Sequence, residues 1–245
     1  MREREERLAR ALATMQRIEE RERLGKKTAR KETARKAGDD NEPGAPPAAG
    51  SAPPEPEPRV STTDPEARVM KMADGGFRPA YNAQLAVDVA TQLIAGVDVV
   101  NVGTDMRQAV PMHEQIRQRY EHTPEQWLAD GGYSALEAIE ALTRRGTEPL
   151  MPVPRSRNPS IDAFAPKPTD RQAHVQWRVR MASDEGKERY KLRAASVECV
   201  NAQIRRRGLT QLRVRGLLKA RSVLLWHALA HNLMRLRSLG IAYQA

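Results

Sequence analysis

The sequence has one cysteine, few aromatic residues and no long apolar run. Cys199 is alone among 245 residues, which excludes an internal disulfide and a cysteine-rich zinc site and suits a cytosolic protein. No apolar run reaches the roughly 18–20 residues of a membrane span, so we expect no membrane partner. Aromatic residues make up 4% of the chain, and Trp127 and Trp226 are interpreted as core residues rather than as platforms for stacked bases.

Positive charge is concentrated in the second half of the chain. From Ala141 to the C-terminus there are 21 Lys and Arg against 7 Asp and Glu, a net charge of +14. The whole chain carries +10, so residues 1–140 carry −4. Because solubility alone rarely segregates charge in this way, the pattern favours a polyanionic partner, and nucleic acid is the usual one.

Two segments of unusual composition precede the globular part. Residues 1–36 are dense in Arg, Glu, Lys and Ala, with apolar residues three or four apart from Leu8 to Ile18, which predicts a charged helix with a thin apolar stripe. Such a helix can form half of a helical hairpin or coiled coil. Residues 37–61 are rich in Pro, Ala, Gly and Glu. We expect a disordered linker there, because these residues bury too little apolar surface to offset their ordering entropy.

Residues 62–245 have the pattern of an α/β domain. Alternation of apolar and polar residues predicts a β-hairpin, and the later apolar periodicities predict helices separated by short strands. The predicted elements are a hairpin over 81–100, a helix over 111–120, a strand over 126–129, a helix from Ser134 to about Gly146, a strand over 150–153, a helix over 186–207 and a helix from about Val214 to Leu239. Ser134 and Glu137 have the spacing of a capping box for the second of these helices.

The helix predicted over 186–207 carries a single acidic residue, Glu198, among many basic ones. At about 100° per residue, Lys191 and Arg205 lie on the same stripe as Glu198. A carboxylate held among cations is a candidate metal ligand beside a polyanion. The alternative is an ordinary amphipathic helix in which Glu198 only makes ion pairs.

Asp130 follows a predicted strand and opens a Gly-Gly turn, where backbone and substrate can approach closely. The alternative is a turn or helix-capping aspartate. Mg²⁺ is usually held by one or two carboxylates plus the phosphates of its substrate. Two metals roughly 3.5–4 Å apart can stabilise the attacking and leaving oxygens of a phosphodiester. Asp130 and Glu198 together favour such a site, which usually needs a third acidic ligand.

Residues 62–239 resemble the C-terminal part of bacterial insertion-sequence transposases of the DDE type, which have an RNase H-like catalytic core. The resemblance is carried by five segments of the sequence. They are TDPEARVM (63–70), GFRPAYNAQLAVD (76–88), WLADGGYS (127–134), Tyr190-x-x-Arg193-x-x-x-x-Glu198 followed by Arg205, and VRGLLKARSVLLWHALAHNLMRL (214–236). The last three together are specific, whereas any one alone is weak.

The resemblance implies an RNase H-like mixed sheet flanked by helices and DNA strand cleavage and transfer that depends on Mg²⁺ or Mn²⁺. It implies that Asp130 is the second catalytic aspartate and Glu198 the catalytic glutamate. Tyr190, Arg193 and Arg205 match the signature around that glutamate and would hold DNA phosphates. The spacing from Arg193 to Glu198 is one residue longer than the commonest form. The neighbouring basic residues Lys191, Arg206 and Arg207 are further candidates for DNA contact, although the three arginines can also serve as a solvated helix end.

The family's first aspartate ends a central first strand in an Asp-Gly-Thr-type segment, and no such segment precedes the hairpin here. We therefore expect a truncated or split copy that begins inside an insertion, in the bacterial cytoplasm at the nucleoid. Asp88 is the best internal substitute, and Asp98 and Asp105 are weaker. The expected partners are the ends of the insertion sequence, target DNA, and a second copy or a full-length transposase. The alternative function is an inactive DNA-binding remnant.

Overall fold

The computed structural model describes residues 2–36, 59–72, 74–155, 158, 160 and 162–241. The chain divides into two compact units, Met1–Ala80 and Tyr81–Ala245. Most of the linker predicted over 37–61 lies outside the described residues. The predicted domain boundaries therefore stay a prediction.

The described residues of the first unit form one long helix and one hairpin. Helix α1 spans Arg2–Lys36, which confirms the helix predicted for this segment. Strands β1 (Arg68–Lys71) and β2 (Phe77–Ala80) pair antiparallel, and this hairpin was not predicted. Its turn uses Gly75 at φ +81°, a backbone conformation that favours glycine.

The second unit opens with the predicted hairpin. Strand β3 (Asn82–Val87) pairs antiparallel with β4 (Ile94–Val100). Helix α2 (Ala109–Tyr120) follows and packs on β4, where Gly96 leaves room for it: a Cβ there would lie 2.5 Å from the Met112 sulfur. The next residues of β4, Val97 and Val99, face the opposite side and are buried.

A parallel strand pair follows. Strand β5 (Gln126–Leu128) and strand β6 (Glu148–Leu150) pair in parallel, and helix α3 (Leu136–Arg144) connects them. The strand predicted over 150–153 therefore begins two residues earlier, at Glu148. The predicted capping box is wrong, because Ala135 is the N-cap of α3 and the Ser134 hydroxyl donates instead to the Gly131 carbonyl at 2.8 Å.

Helices complete the second unit. They are α4 (Gln172–Ala182), α5 (Asp184–Arg193), a π-helical segment (Ala194–Glu198), α6 (Cys199–Arg206) and α7 (Leu217–Ser238). Helix α4 was not predicted, although its Trp177 is completely buried and donates to the Met151 carbonyl at 3.0 Å. The helix predicted over 186–207 is real, but the π-helical segment interrupts its regular turn.

The described part of this unit has two separate clusters of buried residues. The Trp177 core surrounds β5, β6, α3 and α4, and the Val200 core surrounds the β3–β4 hairpin, α6 and α7. The principal members of the Trp177 core are Ile139, Leu142, Leu150, Met151, Trp177 and Met181, and those of the Val200 core are Ile94, Val97, Val99, Val200, Ile204 and Leu224.

The predicted α/β class is confirmed. The strands of the described residues form three separate pairs rather than one joined sheet. An RNase H-like sheet therefore remains a prediction. None of the described helices combines the length and apolar character needed to span a membrane.

Candidate catalytic site

The candidate site is a cleft of about 710 Å³ in the second unit. It is lined by residues 83–89 of β3 and its turn and by residues 124–130, which include β5. Residues from the segment 192–201 and Met112 and Ile116 of α2 also line it. Asp130, Glu198 and Arg193 all line this cleft.

Asp130 directly follows β5 and caps a 3₁₀ turn, Gly131–Tyr133. Its Oδ1 accepts the Gly132 amide hydrogen at 2.9 Å, which fixes the orientation of an otherwise exposed carboxylate. A Cβ on Gly132 would lie 3.0 Å from Asp130 Oδ1 and 3.4 Å from Asp105 Oδ2. Glycine at this position therefore lets two carboxylates approach the same stretch of backbone.

A polar network lies beside Asp130. Asp105 Oδ1 accepts the side-chain amides of Asn82 and Gln84, each at 2.7 Å, and the Tyr133 hydroxyl donates to Gln84 Oε1. Burial, with the nearby Asp105 and Asp130 carboxylates, raises the pKa of Tyr133, so its hydroxyl stays protonated and can donate. The network ties the end of β5 to the start of β3.

Sequence reasoning missed this network, apart from ranking Asp105 as a weak substitute ligand. The sequence does contain one indication of this network. Asn82 and Gln84 are two residues apart on a predicted strand and so face the same side, and two amide side chains on one face of a strand indicate a polar partner.

Glu198 is the last residue of the π-helical segment, and Arg193 comes just before that segment. The Arg193 Nη2 atom lies 2.7 Å from Glu198 Oε1, although five residues separate them. A π-helical turn contains more residues than an α-helical one, and it therefore accommodates the extra residue between Arg193 and Glu198 while both side chains keep facing the cleft.

The π-helical segment also changes which residues lie on the same helix face as Glu198. In a regular helix Lys191 would align with Glu198, but the π-helical turn rotates the preceding helix by roughly one residue. Lys191 pairs instead with Glu188 at 2.5 Å and does not line the cleft. The alignment of Lys191 with Glu198 is wrong, and Arg193, one turn before Glu198, is the cation that faces it.

Arg193 also contacts Tyr190. Its guanidinium carbon lies 5.7 Å from the centre of the Tyr190 ring, which itself packs against the Trp177 core. Burial acts to lower the pKa of Arg193, but Tyr190 and Glu198 outweigh it and raise that pKa. Arg193 therefore presents a fixed positive charge inside the cleft.

The three arginines at the end of α6 have different surroundings. The Arg207 Nη1 atom donates to His231 Nδ1 at 2.9 Å, and its Nη2 atom lies 3.3 Å from Gln203 Oε1. Arg205 and Arg206 are exposed and form no ion pair with any described residue. His231, one of the two histidines on α7, is fully buried and contacts the Gln92 carbonyl at 2.9 Å.

The other candidate aspartates have local partners. Asp88 Oδ1 accepts the Thr91 amide and hydroxyl at 2.7 and 2.5 Å and closes the hairpin turn. Asp88 also lies four residues beyond Gln84, about 13 Å along an extended strand at roughly 3.3 Å per residue. Asp98 pairs with Arg221 at 3.6 Å. Of the three predicted substitutes, Asp105 lies beside Asp130, whereas Asp88 lines the cleft together with Asp130 and Glu198.

The chemistry of the site fits a divalent metal ion only in part. Asp130 and Glu198 supply oxygen ligands of the kind that Mg²⁺ prefers, and both border one cleft. Among the residues described, however, no group of three potential ligands surrounds a common point. Asp88 and Glu125 also line the cleft, but no three of these carboxylates in the described chain are grouped as a metal site would need, so a third ligand remains to be accounted for.

Comparison with known protein families decides what kind of domain this is. The family model described as "Transposase DDE domain" matches residues 55–233, more than half of the chain. The chain belongs to the DDE transposase family. This match confirms the resemblance to DDE transposases, and Asp130 and Glu198 both lie inside the matched range of the transposase domain. No curated protein and no solved structure gives a significant match to the chain.

Proposed function

We propose that this transposase domain takes part in metal-dependent DNA strand cleavage and strand transfer, with Asp130 and Glu198 as two ligands of Mg²⁺ or Mn²⁺. The observation that carries the proposal is that both carboxylates line one cleft although they belong to elements of different cores. Transposases act on DNA, and this family generally uses divalent metals. The partners proposed are the ends of an insertion sequence and its target.

The chain's own residues would prepare the site. The Gly132 amide holds one oxygen of Asp130 and leaves the other to a ligand. Arg193 pairs with Glu198 and holds its carboxylate at the cleft, and a bound cation would take the place of this guanidinium. Divalent ions, when bound, would supply Lewis-acid stabilisation of charge on the phosphodiester oxygens.

Exposed and cleft-lining cations would bind the DNA backbone. Arg193 lies in the cleft over Tyr190, and Arg205 and Arg206 are exposed at the end of α6. Guanidinium groups form strong charge-assisted hydrogen bonds to phosphate. Lys191 and Arg207 remain proposed DNA contacts, but each would first have to give up its present partner, Glu188 or His231.

Mn²⁺ affinity tests the assignment of the two ligands. Electron paramagnetic resonance titration would compare the wild type with Asp130→Asn and Glu198→Gln, and with Asp98→Asn as a matched control outside the cleft. We expect each cleft variant to bind Mn²⁺ at least tenfold more weakly, because losses of roughly 10–100-fold follow even from removing a group that only orients a ligand. Equal affinity of either cleft variant and the wild type would contradict the assignment.

Cleavage must be tested in an enzyme whose third carboxylate is supplied. There we expect Asp130→Ala or Glu198→Ala to abolish metal-dependent strand cleavage while DNA binding stays largely intact, since neither residue adds positive charge. Cleavage by either variant at the wild-type rate would show that the site is wrong. A wild type that binds DNA but never cleaves when complemented would identify the chain as the inactive DNA-binding remnant.

A further inference from the structure

The last part of the chain carries positive charge and no negative side chain. After Glu198 the sequence has nine Lys and Arg residues and no Asp or Glu. Between the end of α6 and the first turn of α7, five of these cations are exposed, and their side chains bond to no other described residue. They form what we call the basic strip: Arg205, Arg206, Arg213, Arg215 and Lys219. Exposed cations that no acidic residue offsets indicate a partner with negative charge.

The loop between α6 and α7 holds two of these cations outward. Its side chains alternate, because Leu212 and Val214 pack against the Val200 core whereas Arg213 and Arg215 are exposed. Turning this part of the loop over would expose the two apolar side chains to water. The outward direction of the two arginines is therefore fixed by the burial of their neighbours.

The start of α7 adds Lys219 to the basic strip. The macrodipole of a helix favours acidic residues in its first turn, but this turn has a lysine and no acidic residue. A phosphate group beside this turn would be attracted both by the lysine and by the positive end of the helix.

The basic strip is long enough to follow a nucleic-acid backbone. At the end of α6, Arg207 bonds His231, whereas the loop rejoins α7 at its first residue, Leu217. Positions 217 and 231 are 14 residues apart in this helix, which is about 21 Å at roughly 1.5 Å per residue. The same length corresponds to about six base pairs of a duplex at roughly 3.4 Å each.

Helix α6 connects the basic strip with the candidate catalytic site. It is a regular α-helix over Cys199–Arg206, so Glu198, Asn201 and Arg205, at spacings of three and seven, lie on one face. Glu198 and Asn201 line the cleft. Arg205 follows about 10 Å from Glu198 at roughly 1.5 Å per residue. DNA that leaves the cleft along this face therefore meets the strip within about three base pairs.

We propose that the basic strip binds the sugar–phosphate backbone of duplex DNA beside the cleft, with Arg213, Arg215 and Lys219 extending the surface that begins at Arg205 and Arg206. A single strand fits less well, because sites for single strands stack bases on aromatic side chains, and residues 199–221 contain no Phe, Trp or Tyr. A duplex also carries roughly twice the charge of a single strand per unit length. The choice of DNA among polyanions rests on the proposed function.

The test measures binding of the full chain to a labelled duplex of about 20 base pairs, by fluorescence anisotropy in a metal chelator at several salt concentrations. The strip variant combines Arg213→Ala with Arg215→Ala. The matched control combines Arg144→Ala with Arg171→Ala, which removes the same charge from two exposed residues beside the Trp177 core. A second variant, Arg213→Lys with Arg215→Lys, keeps the charge, and thermal unfolding shows whether each variant is folded.

We expect the strip variant to bind the duplex at least about tenfold more weakly than the wild type. The slope of log affinity against log salt concentration should become shallower by roughly 1.8, because each lost phosphate contact removes roughly 0.9. The lysine variant should keep the slope of the wild type, and the control should keep both slope and affinity. A duplex of unrelated sequence should give the same results, since phosphate contacts carry no base information.

An unchanged slope in the strip variant, or an equal loss in the control, would overturn the proposal. So would a loss of affinity confined to single-stranded DNA of the same length, because the occupant would then be a single strand. Vesicles containing phosphatidylserine provide a third comparison. Tighter binding to these vesicles than to the duplex, lost in the strip variant, would assign the surface to a membrane instead.

The chelator separates this inference from the proposed metal site. If the strip variant loses duplex affinity while Asp130→Asn binds Mn²⁺ like the wild type, the strip stands and the metal assignment fails. If Asp130→Asn weakens Mn²⁺ binding while the strip variant binds the duplex like the wild type, the strip fails and the metal assignment stands. A wild type that binds no duplex at all would refute the strip.

Discussion

The Trp177 core and the Val200 core of the second unit are stabilised in different ways. The Trp177 core encloses polar groups that are paired within it: the Trp177 indole bonds the Met151 carbonyl, and the Arg178–Asp170 ion pair of 2.6 Å is almost fully buried. The Val200 core is aliphatic. At the edge of this core, Asn232 of α7 accepts from the Ile94 amide at 2.8 Å and donates to the Ile94 carbonyl at 2.9 Å. These two hydrogen bonds attach α7 to the hairpin.

Each core positions one carboxylate of the candidate site. Asp130 follows β5 of the Trp177 core, and Glu198 lies two residues before the buried Val200. Neither core holds both groups. Damage to one core should therefore displace one carboxylate and leave the other in place.

The largest effect is expected from breaking the buried ion pair. Arg178→Ala leaves Asp170 as an uncompensated charge whose side chain is 1% exposed, which should lower the free energy of unfolding by about 3–5 kcal/mol. The control is Arg171→Ala, because Arg171 pairs with Glu140 at a similar 2.7 Å but is 71% exposed. That change should cost less than about 1 kcal/mol. Urea denaturation of the two variants measures the difference, and similar losses would contradict the distinction.

The next effect tests the attachment of α7. Asn232→Ala leaves the amide and carbonyl of Ile94 without their partner, and we expect a loss of about 1–3 kcal/mol in the free energy of unfolding. Asn201→Ala is the control, since Asn201 is exposed on α6 and should change stability by no more than about 0.5 kcal/mol. Urea denaturation measures the free energy of unfolding of both variants. An Asn232 variant as stable as the control would show that α7 is held by apolar contacts alone.

A smaller effect should appear as a dependence on pH. His113, against Trp127, and His231, on α7, are completely buried, and burial is the main reason that the pKa of each is lowered. The unfolded chain takes up protons near pH 6.5, and the folded chain does so only at lower pH. The free energy of unfolding should therefore be constant above about pH 6.5, fall as pH drops below it, and level off below the folded pKa.

Thermal unfolding at several pH values between about 8 and 5 measures this dependence. His231→Gln should reduce the pH-dependent loss, because glutamine can accept from Arg207 and donate to the Gln92 carbonyl without titrating. His122→Gln, at an exposed position, should leave the loss unchanged. A stability that rises on acidification would mean that the sign of the shift is wrong.

The smallest effect is expected from deleting Ala195. The deletion shortens the Arg193–Glu198 separation to that of an ordinary helical turn, so the π-helical segment should become α-helical while both side chains stay in the cleft. Stability should change by no more than about 1 kcal/mol. Inserting one alanine after Ala195 instead makes the separation six residues, which in an α-helix turns Arg193 about 120° away from Glu198. Crystal structures of both variants would show the positions of the two side chains. A Glu198 side chain displaced from the cleft in the single deletion would contradict the claim that the π-helical segment accommodates the extra residue.

The parts of the fold predicted from the sequence are those set by local pattern. The β3–β4 hairpin follows from alternation, and α2, α3 and α7 follow from apolar periodicity. Helix α4 was missed because basic residues break up its apolar pattern, and only its tertiary position explains the burial of Trp177. The capping box failed because the Ser134 hydroxyl bonds the preceding turn.

The candidate site was predicted in its residues but not in its arrangement. Asp130 and Glu198 were chosen from motifs, and both line the cleft. A regular-helix calculation placed Lys191 on the face of Glu198, where the structure has Arg193, since periodicity alone does not show where an extra residue widens a turn. The position of β3 against β5 depends on contacts such as Tyr133 with Gln84, which are 49 residues apart in sequence.

The most direct test of the central claim is an anomalous difference map from crystals of the chain soaked in Mn²⁺. We predict one ordered ion in the cleft, with the carboxylates of Asp130 and Glu198 among its ligands and Arg193 turned away from Glu198. An ion bound by only one of these carboxylates, or ordered outside the cleft, would contradict the claim that the two cores contribute to one metal site.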